Sequence, residues 1–193
     1  FHEMKMNMGR MFGFAYGQKE NGAVFSHMAV MYAKALYETG FVREGYKVIS
    51  SLYRHAASIE QSRIYPGIPE YFTPDGRGVY HYLTGAASWL LLTVLTEMYG
   101  IKGVDGNLTF APKLLPEQFD ENGQVSVHCQ FAGRSFKVCY INKERLEYAN
   151  YRIHSIDING ARRMCDNTVI FRREILQMEE KTENEIIIRL GGI

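Results

Sequence analysis

The sequence predicts a helical first half followed by an antiparallel β-sandwich, with the change near residue 105. Two observations set this expectation. Between residues 23 and 101 apolar residues recur at three- and four-residue steps, the spacing of one helix face. After Gly106 apolar and polar residues alternate over short runs separated by turn residues, the pattern of half-buried strands. Two domains, 1–105 and 106–193, are expected, and a hydrophobic share of 46% gives each material for a core.

The first helical segment places Val24, Met28, Met31, Tyr32, Ala35 and Leu36 on one face, and Gly40 ends it. The second does the same with Val48, Ile49, Leu52, Tyr53 and Ala56. The third runs from Leu83 through Ala86, Ala87, Leu90, Leu91, Val94 and Leu95 to Met98, closed by Gly100. Residues 64–78 lie between the second and third. Three prolines and three glycines forbid a regular helix or a central strand there. So long a loop between helices is unusual and points to function. Its rings, Tyr65, Tyr71, Phe72 and Tyr80, suit stacking on a sugar or pinning the loop to the helices. Strands are expected over 124–130, 135–141, 151–158, 168–171 and 185–190, with turns at Asn122-Gly123, Asn159-Gly160 and Asp166-Asn167. The stretch Lys113 to Gln118, bounded by Pro112 and holding Pro116, reads as a junction.

A net charge of +1 gives no reason to expect nucleic acid or an anionic membrane as partner. The longest apolar run, around Trp89 to Leu95, is too short to span a bilayer. Cys129, Cys139 and Cys165 form no CxxC pair and read as small buried residues in a reducing compartment, so a cytoplasmic location is expected. The sequon Asn107-Leu108-Thr109 reads as chance. The chain opens on Phe1, and the expectation is that it is the end piece of a longer polypeptide.

Chemistry concentrates at two places. At the third helix, Thr84 and Gly85 stand where backbone N–H groups lack partners and partial positive charge collects. A hydroxyl followed by glycine lets an anion approach those donors. The alternative is that Thr84 simply caps its own helix. Ahead of the first helix, Lys19-Glu20-Asn21 lies within a glycine-rich stretch, just before His27. Lysine and amide donors beside a carboxylate suit sugar hydroxyls, though adjacent opposite charges also describe a solvated turn. His27 reads either as a core residue or, when protonated, as a strong anion donor. His81 could assist the same anion or cap the loop, and Arg77 reads as an anion ligand or a surface arginine. His2, His55, His128 and His154 show no ligand spacing, so no metal is proposed. There is no GxSxG, P-loop or dinucleotide fingerprint.

Two ordered motifs carry a resemblance. Lys19-Glu20-Asn21-Gly22 is followed by Phe25-Ser26-His27, and Leu83-Thr84-Gly85 by Ala86-Ala87-Ser88-Trp89, with Tyr99-Gly100-Ile101 and Ala111-Pro112 beyond. Together they resemble the inverting glycoside phosphorylases of the cellobiose phosphorylase family, glycoside hydrolase family ninety-four. The stretches Gly17 to His27, Tyr65 to Tyr71 and Thr84 to Trp89 look closer to the 1,2-β-oligoglucan phosphorylases and the phosphorylase-like end of cyclic β-1,2-glucan synthases.

The resemblance implies that residues 1–105 are the last helices of an (α/α)6 barrel and 106–193 its C-terminal β-sandwich. It implies that His27, Thr84 and Gly85 bind phosphate and that Lys19 and Glu20 line the sugar subsites. No cofactor is implied; inorganic phosphate is the co-substrate and a β-glucan oligosaccharide the partner, cleaved to α-glucose 1-phosphate. The family's general acid is an aspartate expected before Phe1, so no catalytic residue is expected in this chain, and Asp75 and Asp105 do not replace it. Members are often dimers, so a homodimer is a further expectation. Rival readings are a hydrolase on the same scaffold and a non-catalytic carbohydrate-binding piece.

Overall fold

A computed structural model describes residues 6–64, 67–81, 84–164 and 168–193. The chain divides into two compact units, Phe1–Val94 and Leu95–Ile193.

The first unit opens with a 3-10 stretch, Met6–Gly13. Strand β1 (Val24–Phe25) leads directly into α1 (Ser26–Glu38), then come α2 (Val42–Ala57) and the single turn α3 (Ile59–Ser62). The loop supplies β2 (Tyr71–Phe72) and β3 (Gly78–Val79), which join β1 in a small antiparallel sheet ordered β1-β2-β3. Helix α4 (Gly85–Thr93) follows and continues into a π-helical turn, Val94–Met98. The core gathers Val30, Leu52, Ala56, Ile68, Phe72 and Ala86, with Ala87, Trp89 and Leu90 packed against it.

Helix α1 buries Ser26, Val30, Ala33 and Tyr37. That is the face opposite to the one expected: Met28 and Tyr32 are each 60% exposed, and Val24 and Met31 are exposed as well. The reason is steric. Gly45 of α2 lies against the Tyr37 ring, so close that a Cβ there would sit 2.7 Å from Cδ2 and 3.3 Å from the Ala33 carbonyl oxygen. Small residues at Ala33 and Gly45 let the two helices approach, and that contact selects the face. In α2, Ile49, Leu52 and Ala56 are buried as the period suggests, but Tyr53 is exposed. In α4, Ala86 is buried while Leu91 is 70% exposed.

The second unit begins with the hairpin of β4 (Ile101–Val104) and β5 (Asn107–Phe110), closed by Asp105 and Gly106 at φ +51° and +78°. Both positive values belong to the two-residue turn that matches strand twist. Gly100 has φ +66°, and a Cβ there would lie 2.0 Å from the Ala111 carbonyl oxygen, so only glycine fits. Then come β6 (Gln124–Phe131), β7 (Arg134–Ile141), β8 (Tyr151–Ile158) and β9 (Ala161–Met164). The chain finishes with β10 (Val169–Ile170), the short helix α5 (Arg172–Gln177) and β11 (Glu183–Gly192). One sheet is ordered β6-β7-β11-β8-β9 and a smaller one β10-β5-β4. Inward residues alternate along β7 and β11, among them Phe136, Val138, Tyr140, Ile186 and Ile188, all fully buried. Within this unit Glu97 is buried at 2% exposure and held by Lys102 at 2.7 Å and Lys113 at 3.1 Å.

This architecture corrects the expected fold class. The described residues form five α-helices and three small sheets, a mixed α and β arrangement that does not resemble part of an (α/α)6 barrel. The long loop forms no helix, as its prolines require, but it does supply a central strand against expectation: β2 lies between β1 and β3, because Tyr71–Phe72 falls between Pro69 and Pro74. The larger sheet is not purely antiparallel either, since β11 runs parallel to β7. Strand length and alternation fix which faces are buried but carry no information on the direction of the partner. Cys129 and Cys139 are half-buried free thiols, and Cys165 lies outside the described residues. Among the described residues no helix is long and apolar enough to cross a membrane.

Candidate functional site

The first unit brings two helix starts together. Helices α1 and α4 pack on each other, and each opens after an extended residue, Phe25 and Thr84, with no side-chain cap. Thr84 does not serve its own helix: its hydroxyl donates instead to the Ile68 carbonyl at 3.4 Å. The first-turn N–H groups of α4 thus receive no hydrogen bond from their N-cap side chain.

His27, in the first turn of α1, lies against Gly85 at the start of α4. A methyl at position 85 would sit 3.1 Å from Cε1 and 3.3 Å from Nδ1 of that imidazole. Glycine at 85 is what permits the ring to rest on the backbone. The far side of the ring tilts on Trp89 at 5.9 Å, and the Lys34 ammonium stands 5.7 Å from the Trp89 ring centre. Among the described residues Nε2 of His27, shielded from solvent, has no hydrogen-bond partner, and neither has the buried Ser26 hydroxyl beside it. Burying such groups unpaired is costly. A polar ligand that accepts from His27 would remove that cost.

Lys19 and Glu20 diverge. Lys19 takes φ +44° in a turn closed by the Gly17 N–H donating to the Asn21 carbonyl at 2.6 Å. Its ammonium stands 4.8 Å over the Tyr80 ring and 3.8 Å from the Glu70 carboxylate. Glu20 instead pairs with Arg10 at 2.7 Å, and that hydrogen bond holds its carboxyl below the usual range. Asn21 is buried and serves the turn, donating to the Phe14 carbonyl at 2.7 Å.

Glu70 was not singled out by sequence reasoning, although it stands in the quoted segment ending at Tyr71. It links the two groups: its carbonyl accepts from the Ser26 N–H at 2.9 Å, one residue from His27, while its carboxylate faces Lys19. Of the loop rings, Tyr71 and Phe72 are buried and pin the loop, Phe72 edge-on to His55 at 4.7 Å. Tyr80, with φ +56°, is exposed; Tyr65 lies outside the described residues, as do Tyr82 and Leu83. His55 is committed to the Gly76 carbonyl at 2.7 Å, and Arg77 and His81 are exposed. Among the described residues no group of His, Cys, Asp or Glu is placed to hold a metal ion.

No protein-family model matches the chain. Over 150 residues, 72% of its length, the chain is 23% identical to a cellobionic acid phosphorylase of Neurospora crassa. It spans 18% of that curated relative. The chain is thus distantly similar to one part of a glycoside phosphorylase.

Proposed function

We propose that this chain supplies the phosphate seat of an inverting glycoside phosphorylase acting on β-glucosides. The observation that carries the reading is the imidazole of His27 resting on Gly85 at the uncapped start of α4, its buried Nε2 without a partner among the described residues. Phosphate seated there accepts from α4 main-chain N–H groups, from Nε2–H of His27 and from the Thr84 hydroxyl, whose proton turns to it from the Ile68 carbonyl. Lys19 and Glu70 line the sugar side, the lysine donating to hydroxyls and the carboxylate accepting from them, while Glu20 is turned to Arg10.

The reaction this seat serves is a single displacement. A phosphate oxygen attacks the anomeric carbon as the bond to the leaving oxygen breaks, and an acid gives that oxygen its proton. The product is an α-glycosyl phosphate. An inverting hydrolase needs a second carboxylate to activate water; phosphate arrives already anionic and needs only to be held in line. No residue of this chain is assigned as the acid. The distant phosphorylase similarity supports the reaction class, and the motif variants favour β-1,2-linked glucan as substrate.

Phosphate titration of the chain, followed by calorimetry, tests the proposal with His27→Ala and Thr84→Val. Each variant is expected to weaken phosphate binding by about tenfold, roughly 1.4 kcal/mol. Unchanged phosphate affinity in both, with their folds intact, overturns the seat.

A further inference from the structure

The second unit carries a cleft of about 560 Å³ whose walls include Phe110, Pro112, Tyr148, Tyr151, Arg152 and Thr168. We infer that this cleft is an accessory subsite that takes one pyranose ring of an oligosaccharide, stacked on Tyr148 and anchored by Arg152. The choice of sugar over other ring-shaped ligands rests on the proposed function; the cleft itself does not.

Three features of the lining point this way. Tyr151 is rigid, because its hydroxyl accepts from the Leu114 N–H at 2.7 Å and lies 3.0 Å from the Leu114 carbonyl and 3.2 Å from that of Pro112. A tyrosine whose hydroxyl is already used offers a ligand only its apolar body. Tyr148 meets it edge-on at 6.3 Å and is half-buried. The turn that carries Tyr148 is strained: Ala149 sits at φ +74°, held by the Asn150 N–H donating to the Glu147 carbonyl at 3.0 Å. A non-glycine residue in that region persists only where its surroundings impose it, and such residues cluster at ligand sites.

The polar part of the lining has one character. Among the described residues Arg152, which is exposed, has no ion pair, and no acidic side chain lines the cleft. Its guanidinium can only donate. A pyranose matches this surface: its C–H face lies on an aromatic ring and its rim of hydroxyls accepts from arginine and threonine. The volume falls within the range of small-ligand sites. A second cleft of about 460 Å³ on the same unit, lined by Lys143, Glu144, His154 and Arg189, has no phenylalanine, tyrosine or tryptophan ring among its described lining residues and provides a control.

The experiment measures binding of β-1,2-, β-1,3- and β-1,4-linked glucotrioses to the full chain by saturation-transfer NMR and calorimetry. At least one triose is expected to bind. Tyr148→Ala should weaken that binding by about tenfold, and Arg152→Gln, at an exposed position, by several-fold. His154→Ala in the other cleft should leave it within about twofold. No binding of any triose, or binding untouched by both Tyr148→Ala and Arg152→Gln, overturns the inference. Phosphate binding measured on the same variants reports separately on the proposed seat: retained phosphate affinity with no triose binding removes the accessory subsite alone.

Discussion

Gly85 and His27 form one device. The backbone at 85 is compatible with alanine, so a methyl there acts through space alone, pressing on an imidazole 3.1 Å away. Gly85→Ala is expected to leave the melting temperature within about 2 °C while weakening phosphate binding by about fivefold, since a few tenths of an ångström at a positioning ring is enough to misplace a donor. Thermal denaturation and phosphate calorimetry on the same sample check both halves. These residues were visible in the sequence because hydroxyl–glycine at a helix start has a local physical meaning. Glu70 was not visible, because its approach to Lys19 depends on how the loop folds back to pair with β1.

At the scale of elements, two contacts invite measurement. Gly45 sets the approach of α1 and α2, and Gly45→Ala forces a methyl into the fully buried Tyr37 ring. Alanine gains about 1 kcal/mol of helix propensity, but overpacking costs roughly 1–3 kcal/mol. A net lower midpoint in urea unfolding is expected; a higher one would show that the ring simply moves aside. The second contact is Glu97 between Lys102 and Lys113. Burial favours the neutral acid, but hydrogen bonds from both lysines outweigh it and hold the carboxyl below the ordinary glutamate range. A depressed folded-state value means the stabilisation is fully present above the unfolded glutamate range. It is lost as pH falls through the folded value. Glu97→Gln should therefore cost about 3 kcal/mol at neutral pH, leaving two ammonium groups without their anion, and should flatten stability against pH only on the acid side. Urea midpoints between neutral pH and the acid range test this.

Across the whole molecule, the described residues expose Met28, Tyr32, Phe41, Tyr53 and Leu91. All five belong to the first unit, and the second exposes Val104, Met164, Phe171 and Leu176 as well. Exposed apolar side chains in such number bind apolar dyes. Tyr32→Gln combined with Leu91→Gln is expected to lower anilinonaphthalene sulfonate fluorescence by about half, with the melting temperature held within about 2 °C, because neither side chain contributes to the core. A large fall in melting temperature would mean that these faces pack inside the unit.

The positions of α1, α2 and α4 and the strands at β6, β7, β8 and β11 were legible from period alone, since hydrophobic spacing is a local property of the chain. Thr84-Gly85 was legible as a helix start for the same reason; that His27 meets it rested on the resemblance, because the two lie far apart in the chain. Tertiary structure alone decided which face of α1 is buried. That helix is apolar nearly all round, and only the close approach of Gly45 breaks the tie. It also decided that β11 lies parallel to β7 and that the loop builds a sheet beside α1. Partner and direction are chosen by residues far apart in the chain, and no local spacing encodes them.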